Sequence, residues 1–145
     1  MKKNVLVFSI VLVAFIALAF VLRLVISPPK EDFIINVDNY SGAASSEITL
    51  TNGGKVVATI PALKNETSKE IKVAPFDVKP GGFTMSYVDK NGKKHDELQF
   101  DVTATTSTMN STLYVGITDV DDDGTMNIDY TYSSSNGEET SSQTN

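Results

Sequence analysis

Four carboxylates fall within five residues at Asp119-Val120-Asp121-Asp122-Asp123, and Gly124-Thr125-Met126-Asn127 follows directly. Charges packed this closely repel one another unless water or a cation screens them. Calcium is a hard cation that collects six to eight oxygens at about 2.3–2.6 Å, and odd positions of a tightly turned loop can aim their oxygens inward. Asp119, Asp121 and Asp123 stand at positions one, three and five of such a loop, Gly124 supplies the sharp turn at six, the Thr125 carbonyl stands at seven and Asn127 at nine. These five are the candidate metal ligands, with calcium as the candidate cofactor. The same residues suit an ordinary acidic hairpin turn, because Asp and Gly are turn formers, so both readings are carried forward. A bound calcium would be structural: with a dissociation constant of about 0.1–1 mM and about 1 mM free ion it adds only about 0.4–1.4 kcal/mol.

An EF-hand requires a bidentate glutamate at position twelve and flanking helices. Tyr130 stands at that position, between two strand-like segments, which excludes an EF-hand. The stretch Asp119–Asn127 more closely resembles the D-x-D-x-D-G-x-x-D calcium hairpins of integrin α-chain propellers, with Asn127 in place of the last aspartate. What that resemblance implies is a hairpin calcium site of reduced ligand charge; nothing else in the chain looks like a propeller blade.

Other chemistry is sparse. His95 is the sole histidine and sits among Lys93, Lys94, Asp96 and Glu97 just after an Asn91-Gly92 turn, where a solvated imidazole is expected. No serine lies in a G-x-S-x-G elbow, the Ser27–Lys30 pair falls in a proline-rich spacer, and no phosphate-binding glycine loop is present. The absence of cysteine excludes a thiol nucleophile, an iron–sulfur cluster and a disulfide framework. A net charge of −6 with no basic stripe argues against nucleic acid. Catalytic residues are therefore not assigned, and the chain is read as a non-enzyme. Lys90, Lys93 and Lys94 form a small basic tip, read as a hairpin guarding its edge with charge. Asn39-Tyr40-Ser41, Asn65-Glu66-Thr67 and Asn110-Ser111-Thr112 match the N-glycosylation pattern. Tyr40, Tyr114 and Tyr132 are the tyrosines taken as surface candidates.

The elements that position these residues divide at the amino terminus. Val5–Leu22 is an eighteen-residue uncharged run in which fourteen residues are Val, Leu, Ile or Phe. At 1.5 Å per residue it covers about 27 Å, enough to span a bilayer with its flanks, and it is read as a transmembrane signal-anchor helix over residues 1–26. Lys2 and Lys3 ahead of it keep the amino terminus cytoplasmic under the positive-inside rule, which places the rest outside the cell membrane as a single-pass, extracytoplasmic domain. Ala17-Leu18-Ala19 also fits a signal-peptide cleavage pattern, so a secreted product is the alternative. Residues 27–32, with Pro28 and Pro29, form a stiff spacer.

Beyond the spacer, period-two alternation replaces any helical period. Strands are expected at Asp32–Asn39, Ser46–Thr51, Lys55–Ile60, Lys69–Val73, Phe83–Asp89, His95–Thr103, Thr112–Asp119 and Met126–Ser133. Phe83/Met85/Tyr87, Leu98/Phe100/Val102, Leu113/Val115/Ile117 and Met126/Ile128/Tyr130 each give one apolar face. Asn52-Gly53-Gly54 and Asn91-Gly92 supply hairpin turns. The expected fold over residues 33–133 is all-β, an immunoglobulin-like or fibronectin-type antiparallel β-sandwich, and residues 134–145 are expected to be a disordered polar tail.

With its thiol-free outer domain on a short basic anchor, the chain resembles the small immunoglobulin-like β-sandwich domains of membrane-anchored bacterial surface proteins. That resemblance implies an interaction or structural module of the cell envelope whose partners are the lipid bilayer, through Val5–Leu22, and a membrane or envelope protein. The alternative is a calcium-dependent surface domain that binds a ligand or glycan.

Overall fold

The computed structural model describes residues 32–100, 107–134 and 139–142, with the backbone alone for 97–100 and 139–142. The expected anchor helix, most of the spacer, the end of the sixth expected strand and parts of the tail lie outside the described residues. So does the expected Leu98/Phe100/Val102 face. Among the described residues no helix is long and apolar enough to cross a membrane.

Nine strands follow in order: β1 Phe33–Asn39, β2 Ile48–Asn52, β3 Lys55–Ile60, β4 Thr67–Val73, β5 Phe83–Val88, β6 Lys94–Phe100, β7 Thr112–Val120, β8 Met126–Ser133 and β9 Glu139–Ser142. They form a five-stranded sheet ordered β4-β1-β7-β8-β9 and a four-stranded sheet ordered β3-β2-β5-β6. The chain passes between sheets after β1, β3, β4 and β6. The fold is an all-β two-sheet sandwich, as the alternation requires.

Alternation decides which side of each strand is dry. Phe33, Ile35 and Val37 of β1, Leu113, Val115 and Ile117 of β7, and Met126, Ile128, Tyr130 and Tyr132 of β8 are buried, as are Ile48, Leu50, Ile60, Phe83, Met85 and Tyr87 from the other sheet. Phe33, Phe83 and Tyr132 lie with ring centroids 6.0–6.2 Å apart, and Phe76 meets Phe33 edge-on at 6.0 Å. Tyr132 is therefore a core residue and not the surface tyrosine expected, because it shares the parity of Met126, Ile128 and Tyr130.

Three further features depart from the sequence expectation. First, β1 pairs antiparallel with β4 but parallel with β7, so the five-stranded sheet is mixed. Period-two patterning specifies a face and carries no information on strand direction. Second, an immunoglobulin domain places its first two strands in one sheet, whereas β1 and β2 lie in different sheets here. Third, Glu139–Ser142 pairs with β8 as β9, inside the expected disordered tail. The open edge of β8 offers backbone donors and acceptors that any residue with an amide can use.

Two buried asparagines hold the crossings. The Asn39 amide donates to the carbonyls of Ala43 at 2.9 Å and Leu63 at 3.0 Å, while its Oδ1 accepts from the Ser41 amide and hydroxyl. At the opposite corner Asn52 donates to Gly82 O at 2.6 Å and its Oδ1 accepts from Lys79 N at 2.8 Å. Asn39 is wholly buried, so the Asn39-Tyr40-Ser41 match cannot carry a glycan on the folded domain.

Phe33→Ala empties the centre of the aromatic cluster and is expected to cost about 3–5 kcal/mol in urea unfolding. Val56→Ala, at an exposed edge position, is expected to stay within about 0.5 kcal/mol of wild type.

Candidate functional site

The acidic loop closes the β7–β8 hairpin. Asp119 pairs with Asn127 across the ladder, just after a bulge. Beyond them the Asp121 amide donates to Thr125 O at 2.9 Å, Gly124 N to Asp121 O at 2.9 Å, and Thr125 N to Asp123 Oδ1 at 2.9 Å. The Thr125 carbonyl and one Asp123 oxygen, two of the candidate calcium ligands, are thus engaged inside the turn. From the neighbouring hairpin, Lys90 N donates to Asp123 O and Lys90 Nζ to Asp122 O, both at 3.0 Å. Lys90 thus meets two backbone carbonyls of the loop, and the Asp123 carboxylate accepts from the Thr125 amide. The Thr125 amide and hydroxyl hold the Asp123 carboxyl below its usual range, against burial and the nearby Asp89 charge. Among the described residues no three His, Cys, Asp or Glu side chains stand close enough together to hold a metal ion. Of the candidate set Asp119, Asp121, Asp123, Thr125 and Asn127, the Asn127 Oδ1 is buried without a hydrogen-bond partner. Gly124 is required at its place: its φ is +88°, and a Cβ would come within 3.0 Å of the Lys90 backbone nitrogen.

His95 departs from the solvated imidazole expected. Its side chain is only 8% exposed, and that of its partner Asp89 only 3%. The His95 and Tyr87 rings stack with centroids 4.8 Å apart and planes 3° from parallel. Asp89 Oδ1 accepts from the amides of Asn91 and Lys93 at 2.9 Å, and Oδ2 lies 2.9 Å from His95 Nε2. The hydrogen bond from His95, followed by those two amides, holds the Asp89 carboxyl below its usual range despite burial. An ionised carboxylate only accepts, so Nε2 carries the proton in this pair. Tyr87 completes the corner: its hydroxyl accepts from Met126 N at 2.8 Å and reaches Met126 O at 3.3 Å. The Tyr87 hydroxyl fastens the β5–β6 hairpin to the β7–β8 hairpin, while both oxygens of the Asp89 carboxylate are committed within the β5–β6 turn. Nor is the basic tip a free patch, since Lys90 docks on the acidic loop and Lys94 pairs with Asp96 at 2.7 Å.

The outer face of the five-stranded sheet is different in kind. There Tyr114 of β7 lies between Asn36 of β1 and Thr131 of β8, and two residues on, Gly116 lies between Asp38 and Asp129. Asp38, Tyr114, Gly116, Asp129 and Thr131 line a shallow depression of about 170 Å³. Tyr114 is 50% exposed and Tyr40, near its rim, 65%. Asp38 accepts a hydrogen bond from the Ser68 hydroxyl. Desolvation, and then that carboxylate, push the Tyr40 phenol above its usual value. A larger groove of about 440 Å³ runs beside β3, between Val56, Val57, Val73 and Phe76; its far wall is the crossing already pinned by Asn52.

No family model matches the chain, and no curated protein matches it. Among solved structures, the NMR structure of a protein from Eubacterium rectale is similar at 18% identity, over 70% of this chain and 90% of that one, with a TM-score of 0.41. A likeness this distant carries no functional information.

Two outcomes test the site as described. Chelator and added calcium are expected to leave the melting temperature unchanged at near-physiological ionic strength; a rise with calcium would restore the ion to the loop. For Asp89, the unfolded carboxyl titrates near about 3.9 and the folded one lower, so at low pH the unfolded chain binds the extra proton. The stability contributed is complete above about pH 5 and declines as pH falls through the folded value. Asp89→Asn should flatten this acid limb in urea unfolding followed between pH 2 and 7.

Proposed function

We propose that the chain is a display module of the cell envelope: Val5–Leu22 anchors it in the membrane and the sandwich is held outside as a surface for another envelope protein. The all-β two-sheet build supports this reading, and its strand order is its own rather than that of an immunoglobulin domain. The observation that carries the interaction reading is the outer face of the five-stranded sheet. An exposed tyrosine, a glycine and two carboxylates gather on a face that contributes nothing to the core. Elsewhere Asp89 and His95 are occupied by each other, Asn39 and Asn52 by carbonyls, and the Asp122 and Asp123 carbonyls by Lys90. A catalytic role for His95 finds no support in a pair so fully committed, and the protein is read as a non-enzyme. The anchor confines the domain to two dimensions and raises its effective concentration toward partners in the same membrane.

The test is the location of the full-length protein in bacterial cells. It is expected in the membrane fraction, with the sandwich removed by protease added to intact, wall-stripped cells. Recovery from the soluble cytosol, or protection from that protease, overturns the reading. Release into the medium with a shortened amino terminus establishes the secreted alternative instead.

A further inference from the structure

We infer that the depression over Gly116 binds an arginine side chain presented by a basic, extended segment of a protein partner. This inference rests on the display reading above and names the chemistry of its partner. The first observation is Gly116 itself. It sits mid-strand without a positive φ, and a Cβ built on it would meet nothing closer than the Asp129 Cβ at 4.0 Å. Neither backbone conformation nor packing asks for glycine, and glycine weakens a strand interior. The β7–β8 register shift lies just beyond, between Ile117 and Asp119, and the bare backbone at Gly116 leaves room for another group to approach closely. The second observation is charge. Asp38 and Asp129 stand on either side of Gly116 in register, their Cα atoms about 10 Å apart across two strand spacings. Among the described residues the ion pairs are Lys72–Glu70, Lys94–Asp96 and His95–Asp89, so neither flanking carboxylate is in one. Ser68 already orients Asp38, which lowers the entropy lost on binding.

The shape selects among cations. Two carboxylates this far apart cannot share the shell of one metal ion, which needs several oxygens at about 2.0–2.6 Å. A guanidinium is planar, offers donors along both edges and stacks on aromatic faces. Laid over Gly116 beside the Tyr114 ring, it can donate to Asp38 and Asp129 together. An ammonium, being a compact point charge, reaches one carboxylate at a time and gains less from the ring. The open depression suits an extended segment crossing the sheet, with small residues on either side of the arginine.

The experiment is a titration of isotope-labelled full-length protein in detergent micelles with a capped synthetic peptide alternating glycine and arginine, followed by amide resonances. Lysine, citrulline and chitotriose probes are compared. Expected are shifts centred on Asp38, Gly116 and Asp129, weaker affinity at higher salt, and a loss of about three- to fivefold for D38N and for D129N. Gly116→Val, which fills the depression with a strand-compatible side chain, should weaken binding by at least about fivefold. D129N changes an outer-face side chain and keeps the test available if G116V misfolds. Equal binding of the citrulline peptide, equal binding by D129N and wild type, or shifts at Gly116 with chitotriose but not with arginine overturns the inference. Should the protein lie at the outer membrane surface and yet ignore the arginine peptide, the display reading stands and the arginine inference falls.

Discussion

The parallel pairing of β1 with β7 is the contact from which most of the domain's architecture follows. β1 enters between β4 and β7, bonding one antiparallel and the other in parallel. Parallel neighbours require a long connection rather than a tight hairpin, and the chain supplies one that carries β2 through β6. In that excursion it builds the entire second sheet and returns to β4 on the way. The inward residues of β1, Phe33, Ile35 and Val37, then face Ile48, Leu50 and Phe83 across the core. The same register brings Asp38 level with Gly116, so the outer depression exists only because this pairing holds.

Polar groups inside such a sandwich must be satisfied or they destabilise it, since an orphaned buried donor or acceptor costs about 1–3 kcal/mol. The domain meets that demand at its main corners, while Ser111 Oγ, Asn127 Oδ1 and Ser134 Oγ are buried without a hydrogen-bond partner. Asn39 and Asn52 serve the carbonyls of two crossings, Tyr87 and Lys90 join the two hairpins at one end, and Asp89 with His95 braces the β5–β6 turn beside them. Fixed partners hold these groups in place.

Much of the architecture was legible in the sequence. Phe83/Met85/Tyr87 and Leu113/Val115/Ile117 alternate without interruption, and their burial followed from that period. The Asn52-Gly53 and Asn91-Gly92 turns marked hairpins because only glycine meets the positive φ there at no steric cost. Strand partners were not legible, since alternation is silent on which neighbour a strand takes, and the mixed sheet with its β9 edge follows from backbone pairing alone. His95 looked solvated because its neighbours in sequence are charged. Its burial comes from Asp89 on the facing arm of the hairpin, and an aspartate six residues ahead across an Asn-Gly turn was a signal for it. Tyr132 shares the parity of three core residues, and Gly116 interrupts a β-branched run; both could have been flagged by position. The acidic loop was located correctly as a hairpin connection, but composition could not tell that Lys90 and the loop's own amides meet its oxygens.

The most direct test of this account is a set of interstrand proton contacts in solution. With the isotope-labelled full-length protein, nuclear Overhauser contacts in the parallel pattern are expected between β1 and β7, with Val37 beside Val115 and Asp38 beside Gly116. An antiparallel pattern, a register displaced by one residue, or a β1 bonded to β2 would contradict the fold order and dismantle the outer-face site together with it.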